Sequence, residues 1–464
     1  MPKDQVPELL LRATELLEEQ FSELPAFGSV DNSATSTGEM AQVLAETARR
    51  LGDNFPYFHP LYAGQMLRPP HPLARAAYAL AMTINPNNHA RDGGRASSEM
   101  EIEAVRQLAG IFGWETFLGH LTSSGTIANL EALWVAGQLE PGKRIVGSDQ
   151  AHYTHQRISG VLKLEFTPVA TDSCGRMDLL MLEAELRKGD VGTVVVTLGT
   201  TAMGAVDPLD RIVALRERYS FRIHVDAAYG GYFRLISGEL NDPARSAFEA
   251  MGQADSIVVD PHKHGLQPYG CGCILFSDPK VGRFYKHDSP YTYFTSKQLH
   301  LGEISLECSR AGASAVALWA TQRLLPLVPK GEFARGLASG RAAAIDLDRR
   351  LRESDQFQPL FGGAPELDIV VWKVRAKSTQ RSSELARKIF EACATRDLHL
   401  ALVELPLAWF EPAVGSEPPS CAACGTETVT CLRSVLMKPE HEAWLDEIWK
   451  RLTASCAQVL GREK

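Results

Sequence analysis

The middle of the chain alternates short apolar runs with longer stretches in which apolar residues recur every three or four positions. The short runs are typical of buried strands, and the longer stretches are typical of helices. Seven runs are read as strands: FLGHLTS, RIVGS, KLEFTPV, GTVVVTLG, FRIHVDAA, SIVVD and GCILF. Strands and helices that alternate in this way predict parallel βαβ units, with a sheet covered by helices on both faces.

The two ends of the chain have different patterns. Residues 4 to 22 and 37 to 52 carry apolar positions at helical spacing, and a polar linker separates them. Beyond Trp319 the pattern predicts a long helix at 330 to 352, then mixed strands and helices. We therefore predict an α/β fold in three parts: an N-terminal helical and interface segment at 1–85, a large domain at 86–325 and a smaller C-terminal α+β domain at 326–464.

Small or polar residues follow five of the predicted strands. In open α/β sheets, ligands bind outside the carboxyl ends of the strands, so we expect these segments to meet in one binding site. The five segments are SSGT at 123–126, DQAHYTH at 149–155, GTTAMG at 199–204, DAAYGG at 226–231 and DPHKHG at 260–265.

The first segment places Ser124, Gly125 and Thr126 at the start of a predicted helix. Free backbone N–H groups and the positive end of the helix dipole make such a start a natural phosphate site. An ordinary helix cap is the alternative, because serine and threonine are favoured there in any case. The segment matches neither a P-loop nor a GxGxxG motif, so nucleotide binding is not supported.

Asp226 and Lys263 each follow an apolar strand. A buried carboxylate needs a positive or hydrogen-bonding partner, and partial burial of a lysine lowers its pKa and makes it a usable nucleophile. A capping aspartate and a surface lysine are the alternatives. His152 also follows a strand, and it could be a core histidine, a metal ligand or a plate that stacks on a ligand.

Two groups of residues could bind a metal ion. His262 and His264 with Asp260 lack HExxH spacing and a second dense group of ligands, so a metal site is the weaker interpretation there.

The second group is Cys421, Cys424 and Cys431, with His441 as a possible fourth zinc ligand. A full pair of CxxC knuckles is absent, so we expect an exposed loop with free thiols and no metal site. Most of the other cysteines sit singly in apolar surroundings, which predicts reduced, buried thiols. They include Cys271, Cys273, Cys308 and Cys393.

Composition excludes several classes of partner. The chain has 464 residues, a net charge of -8 and a pI near 5.9, whereas nucleic acids and anionic membranes are bound by basic surfaces. No signal-peptide pattern and no run of 18 apolar residues is present, so we expect a cytoplasmic protein without a membrane span.

One cofactor would explain the five segments together. A phosphate site at a helix start, a carboxylate, a nucleophilic lysine and a flat stacking partner are the complement of pyridoxal 5'-phosphate (PLP). The carboxylate would keep the pyridine nitrogen protonated, and the lysine would hold the aldehyde as a Schiff base.

From about Tyr57 to Trp319 the chain also resembles the group II PLP-dependent decarboxylases, a fold-type I family that includes aromatic amino acid, tyrosine, histidine and glutamate decarboxylases. The resemblance rests on SSGTIANL, SDQAHYTH, TLGTTAMGAVDPL, HVDAAYGGY and DPHKHG, in that order. It implies an aspartate-aminotransferase-like large domain, a PLP cofactor and decarboxylation of an L-amino acid to CO2 and an amine.

The resemblance also implies roles for individual residues. Lys263 would be the Schiff-base lysine, Asp226 the partner of the pyridine nitrogen, and His152 the residue that stacks on the ring. Tyr291 or Tyr293, with Tyr291 preferred, would donate the proton to Cα. The remaining cofactor contacts would be Ser124, Gly125, Thr126, Thr201, Ala228 and His262.

Three departures leave the reaction less certain than the cofactor. His264 stands where the better-known members usually have an aromatic residue, and the stretch from Tyr293 to Cys308 is short. That short stretch and SRAGASAVALW at 309–319 resemble the archaeal tyrosine/aspartate decarboxylases, and part of the resemblance is shared by sphingosine-phosphate lyases. A lyase would need cations for a second phosphate, for which the candidates are Arg68, Arg91, Arg95 and Arg310.

Substrate choice is the least determined feature. Tyr57, Phe58 and Tyr62 suit an aromatic substrate, whereas Arg68 or Arg95 could pair with an acidic one, as in aspartate or glutamate decarboxylases. A non-catalytic homologue is disfavoured because the lysine, aspartate and histidine are all present. The resemblance implies a homodimer with active sites at the interface.

Overall fold

The structure is a computed structural model, and it describes residues 6–25, 36–172, 174–286, 304–360, 363–410 and 427–461. The helices in these residues are α1 (Val6–Glu19), α2 (Thr37–Leu51), α3 (Pro72–Ile84), α4 (Arg95–Ile111), α5 (Gly125–Leu139), α6 (Thr154–Leu162), α7 (Leu179–Leu186), α8 (Leu209–Ala214), α9 (Asp242–Glu249), α10 (Gly312–Leu324), α11 (Glu332–Glu353), α12 (Thr379–Ala394) and α13 (His441–Gly461). The strands are β1 (Leu118–Thr122), β2 (Arg144–Ser148), β3 (Phe166–Val169), β4 (Val191–Thr197), β5 (Arg222–Asp226), β6 (Ser256–Val259), β7 (Gly272–Phe276), β8 (Phe357–Pro359), β9 (Ile369–Val374), β10 (Ala401–Pro406) and β11 (Thr428–Val435).

A seven-stranded sheet forms the centre of the molecule, in the order β1-β7-β6-β5-β4-β2-β3. Among its strands only β7 runs antiparallel to its neighbours. Every residue of β4 is buried, as expected for a strand with helices over both faces. The predicted α/β fold with a mostly parallel sheet is therefore present. Six of its seven strands fall within a predicted run, and β4 begins one residue before its run, at Val191.

Register places Asp226 in the middle of this sheet. It pairs with Thr197 of β4 on one side and with Val258 of β6 on the other. Because β4, β5 and β6 are parallel, the segments that follow them leave the sheet at the same edge.

A four-stranded antiparallel sheet, in the order β10-β11-β9-β8, forms a second layer of structure. The helices α11, α12 and α13 pack on it around a core that includes Trp372, which is fully buried. This agrees with the mixed α+β pattern of the C-terminal part, while the exact domain boundaries remain a prediction.

The N-terminal helices contribute little to either core. Neither α1 nor α2 buries a residue, although α1 contacts α3, which packs against α10. No helix among the described residues is both long and apolar enough to cross a membrane.

The predicted cysteine environments are mostly correct. Cys271, Cys273 and Cys393 are buried thiols, but Cys308 is exposed, because it lies in the irregular connection before α10. Cys431 is buried within β11, whereas Cys421 and Cys424 lie outside the described residues.

Candidate cofactor site

The segments that follow β1 and β6 meet at the edge of the large sheet. A Cβ added to Gly125 would lie 2.6 Å from both carboxylate oxygens of Asp260. Only glycine therefore allows the start of α5 to approach the DPHKHG turn this closely.

The predicted helix start at SSGT is correct. Ser124 caps α5, and its side chain accepts a hydrogen bond from the Ile127 amide at 3.3 Å. Gly125 is buried and Thr126 is exposed, so the first turn of the helix faces the site with N–H groups that have no partner within the helix. This end of α5 can bind an anion such as a phosphate.

Asp226 is a buried carboxylate whose oxygens both accept hydrogen bonds. His155 Nε2 lies 2.7 Å from Oδ2, and the Ala228 amide donates to Oδ1 at 3.1 Å. Burial acts to raise the pKa of Asp226, but the hydrogen bond from His155 and the charge of Lys263 outweigh it and lower the pKa below its usual range. The side chain therefore carries a negative charge at neutral pH.

Further polar residues form a chain of hydrogen bonds that ends at Asp226. Asn129 of α5 donates to Asp226 Oδ2 at 3.4 Å, and its own Oδ1 lies 2.8 Å from His224 Nε2. His224 Nδ1 lies 2.9 Å from Ser256 Oγ. Burial lowers the pKa of His224 to about 3, so this histidine is neutral.

The sequence reasoning missed these supporting residues, although two of them carry a local signal. His155 stands three residues after His152 in the same motif, in the first turn of α6. His224 stands two residues before Asp226 in β5, so both side chains lie on the same face of the sheet.

Lys263 lies beside Asp260. The lysine side chain is 22% exposed, and its Nζ is 3.1 Å from Asp260 Oδ2. Asp260 Oδ1 is buried and finds no hydrogen-bond partner among the described residues. Both the accessible amine and the unsatisfied oxygen fit a site that receives a polar ligand.

The turn that carries Lys263 is tightly constrained. Its amide donates to the Asp260 carbonyl at 2.9 Å, and Leu266 adopts a left-handed conformation with φ 64°. A Cβ on Gly265 would collide with the Tyr232 hydroxyl and with the backbone of Pro261. These constraints hold the lysine at the edge of the sheet.

The two histidines beside Lys263 point in different directions. His262 Nδ1 lies 2.8 Å from the carbonyl oxygen of Cys271, and its ring is 4.8 Å from that of Tyr269. His264 is buried, with Nε2 3.4 Å from Asp368 Oδ2. In the part of the chain that the structure describes, no group of three or more histidine, cysteine, aspartate or glutamate side chains could hold a metal ion.

The remaining predicted residues lie around the same edge. His152 is partly buried, its Nδ1 is 2.7 Å from Thr154 Oγ1, and burial lowers its pKa. Ala228 is 8% exposed, whereas Thr201 is exposed. Tyr291 and Tyr293 lie outside the described residues.

Arg433 is a further site residue that the sequence reasoning did not find. It lies on β11 in the small sheet, is 4% exposed, and donates to the carbonyl oxygens of Thr201 at 2.8 Å, Ala202 at 3.0 Å and Gly64 at 3.1 Å. Arg433 and Thr201 are more than 200 residues apart in sequence, so no local pattern could predict their contact.

The geometry fits PLP on four counts. The start of α5 offers amides for a phosphate, and Asp226 offers a buried, ionised partner for a ring nitrogen. Lys263 offers an accessible amine, and Asp260 has an oxygen without a partner among the described residues. The site is thus complementary to the cofactor that the sequence predicts.

Residues 53–331 match the pyridoxal-dependent decarboxylase conserved domain, so the chain belongs to that family. Among individual proteins, the L-tyrosine decarboxylase of Enterococcus faecium is 28% identical over 72% of this chain and 70% of its own length. That of Levilactobacillus brevis is 29% identical over 63% of each chain. A probable L-tyrosine/L-aspartate decarboxylase of Methanocella arvoryzae is 28% identical over 79% of this chain and 93% of its own.

Solved structures match almost the whole chain. Mouse CSAD in its apo form has a TM-score of 0.76 and 21% identity, covering 95% of this chain and 91% of its own. Oryza sativa TDC with PLP and tryptamine has a TM-score of 0.77 and 17% identity, covering 99% of both chains. At these identities the likeness concerns the fold, and it confirms the predicted fold class.

Proposed function

Because the chain belongs to the pyridoxal-dependent decarboxylase family, we propose that it removes the α-carboxyl group of an L-amino acid as CO2 and releases the amine. The family match confirms the family and the PLP cofactor predicted from the sequence, and with them a PLP-dependent amino acid decarboxylase. The observation that carries the proposal is the buried, ionised Asp226 within electrostatic range of the accessible Lys263.

The predicted residues would contact different parts of the cofactor. Lys263 would bind it covalently through Nζ, Asp226 would pair with the protonated ring nitrogen, and His152 would lie against the ring. The other contacts would be Ser124, Gly125 and Thr126 at the phosphate, and Thr201, Ala228 and His262 around the ring. When bound, PLP supplies a conjugated system that accepts the electron pair left on Cα as CO2 departs.

The residues of the chain must then return a proton to Cα. We assign this step to Tyr291, with Tyr293 as the second candidate, because a phenol can act as a general acid. Comparing the kcat of Tyr291→Phe with that of Tyr293→Phe tests the assignment. Equal activity of both variants and the wild type would exclude tyrosine as the donor.

An aromatic substrate has the better support. Tyr57 and Tyr62 form an edge-to-face pair with ring centroids 4.9 Å apart, and Tyr62 is 5% exposed. Tyr269 is 60% exposed over His262, beside the lysine turn, and Phe58 is also exposed. The exposed rings of Phe58 and Tyr269 suit the stacking of an aromatic side chain, beside the Tyr57–Tyr62 pair.

An acidic substrate is the second candidate, since several archaeal relatives are described as tyrosine/aspartate decarboxylases. Arg68 or Arg95 would then be the cation that pairs with the side-chain carboxylate of the substrate. Measuring CO2 release from each protein amino acid decides between the two. Release from aspartate or glutamate in preference to tyrosine and tryptophan would overturn the aromatic assignment.

A carbon–carbon lyase of the sphingosine-phosphate type is less well supported. Two of the arginines considered for a second phosphate pair with glutamates: Arg310 with Glu101 at 2.7 Å, and Arg91 with Glu99 at 2.6 Å. If the protein cleaves a phosphorylated amino alcohol and releases CO2 from no amino acid, the lyase hypothesis is correct.

We further propose a homodimer that closes across α1 and α2. Several of their apolar side chains are more than half exposed, and clustered exposed apolar side chains mark an interaction surface. They include Leu9, Leu11, Leu16, Met40, Val43, Leu44 and Leu51. Sedimentation of the wild type against Val43→Glu/Leu44→Glu tests this, and an unchanged monomer mass in both would contradict it.

A cytoplasmic location remains a prediction. The buried free thiols of Cys271, Cys273 and Cys393 favour a reducing compartment. Cell fractionation with an antibody tests it, and recovery outside the cytoplasmic fraction would refute it.

A further inference from the structure

Asp368 belongs to the small sheet but lies against the two turns that carry the proposed cofactor residues. It immediately precedes β9, and its carbonyl accepts a hydrogen bond from the Leu436 amide at 2.8 Å, which ties it to the end of β11. Its side chain is 1% exposed. The backbone of this residue is therefore fixed by the small sheet, while its carboxylate faces the large one.

Each oxygen of the Asp368 carboxylate contacts a different turn. Tyr229 Oη donates to Oδ1 at 2.5 Å, and His264 Nε2 lies 3.4 Å from Oδ2. Tyr229 stands three residues after Asp226, and His264 directly follows Lys263. One side chain thus joins the two turns on which the cofactor site depends.

The rings around the carboxylate are packed together. The centroids of Tyr229 and His264 are 4.6 Å apart, and Phe233 meets His264 edge to face at 5.1 Å. Tyr229 is 3% exposed and His264 is 1% exposed. A displacement of Asp368 would therefore move these rings, because a close-packed interior transmits small shifts.

The position is costly for a carboxylate. Burial raises the pKa of Asp368 to about 6, although the Tyr229 hydrogen bond and the charges of Arg68 and Arg433 act to lower it. An apolar residue would avoid this cost if the site served only to fill space.

We propose that Asp368 is a positioning residue, which accepts a hydrogen bond from Tyr229, packs against His264 and so fixes the turns of Asp226 and Lys263 relative to the small sheet. The inference rests on the proposed roles of Asp226 and Lys263. The hydrogen bond from Tyr229 carries this link, because His264 Nε2 approaches the carboxylate at 3.4 Å without forming a hydrogen bond.

The experiment compares Asp368→Ala with Asp368→Asn, whose amide oxygen can still accept from Tyr229. Asp348→Ala is the matched control, because Asp348 is also a buried carboxylate of the small domain but pairs with Arg352 at 2.7 Å. For each holoenzyme we would record the cofactor absorbance, the rate of cofactor release on dilution, kcat and KM for CO2 release, and the thermal midpoint.

For Asp368→Ala we expect release to be about tenfold faster and kcat to be roughly ten- to a hundredfold lower, with little change in KM, as for a misplaced catalytic group. Asp368→Asn should have a cofactor release rate and a kcat close to those of the wild type. Asp348→Ala should lower the thermal midpoint and leave cofactor release unchanged. If Asp368→Ala loses thermal stability but retains the wild-type spectrum, release rate and kcat, the proposal is wrong.

Two further comparisons keep the outcome decisive. If Asp368→Ala does not fold, Tyr229→Phe removes only the 2.5 Å hydrogen bond and should still accelerate cofactor release; wild-type release in that variant would overturn the proposal. The proposed function itself predicts that the wild type has a cofactor absorbance band and that Lys263→Ala lacks it. If the wild type shows no such band, the proposed function is wrong, whatever the result for Asp368.

Discussion

Replacing His155 with phenylalanine removes the short hydrogen bond that holds the Asp226 carboxylate. His155 is fully buried, and its Nε2 lies 2.7 Å from Asp226 Oδ2. A hydrogen bond to a charged group contributes about 1.5–3 kcal/mol, and about 1.4 kcal/mol corresponds to one pKa unit. The pKa of Asp226 should therefore rise by about one to two units, because burial then acts with less opposition.

The sign of the stability change follows from the same shift. A carboxyl group whose pKa is lowered by folding stabilises the protein above the pKa of the unfolded chain, and this contribution disappears as the pH falls through the folded value. His155→Phe should thus lose about 1.5–3 kcal/mol of unfolding free energy at pH 7, and the difference from wild type should shrink in acid.

Urea unfolding at several pH values measures the loss, and kcat for CO2 release measures its consequence. We expect kcat to fall roughly ten- to a hundredfold, because the carboxylate is no longer held in one orientation. His155→Gln, whose amide can donate a hydrogen bond, should recover part of both quantities. Wild-type stability and kcat in His155→Phe would refute the role assigned to this histidine.

Three other substitutions test separate parts of the structure. Gly125→Ala places a Cβ 2.6 Å from both carboxylate oxygens of Asp260, so we expect roughly tenfold weaker cofactor retention after gel filtration. Arg310→Met leaves the buried Glu101 without its 2.7 Å partner and should destabilise the fold by about 3–5 kcal/mol in urea unfolding. Burial lowers the pKa of Lys438 to about 7. Between pH 7 and the ordinary pKa of lysine, the amine therefore takes up a proton on unfolding, and the free energy of unfolding rises with pH by up to about 1.4 kcal/mol per pH unit. Lys438→Met should remove this rise.

Each of these predictions has a control or a contrary result. Gly110→Ala meets nothing within 4 Å and should retain the cofactor, so equal losses in both glycine variants would count against the close approach. If Arg310→Met is as stable as the wild type, Arg310 does not serve mainly to pair with Glu101, and it becomes a candidate to bind a ligand. Parallel pH–stability curves for wild type and Lys438→Met would show that the amine is not buried in solution.

The parts of the site that the sequence predicted are those determined locally. Asp226 ends an apolar strand, and Ser124 and Lys263 come two and four residues after one, so the strand pattern alone places them at the carboxyl edge of the sheet. Parallel pairing then brings them together without further information. The helix start at Gly125 was likewise predictable, because its cap is the preceding residue.

The residues that were missed depend on contacts between distant segments. Arg433 reaches the carbonyl of Thr201, and Asn129 reaches Asp226, across separations that no periodicity encodes. A polar residue within an apolar strand or helix has the same pattern whether it supports a site or only satisfies a neighbour. Only the packing of the two sheets distinguishes these cases.

His264 shows how far adjacency in sequence can mislead. It directly follows Lys263, and the sequence alone did not decide whether its departure from the usual residue affects the cofactor or only fills space beside it. Its ring instead packs between Tyr229 and Phe233 and faces Asp368, on the side of the small sheet. Any influence of His264 on the reaction must therefore pass through the backbone of the lysine turn and through Asp368, and a substitution there should alter the cofactor's environment without removing a group that touches the substrate.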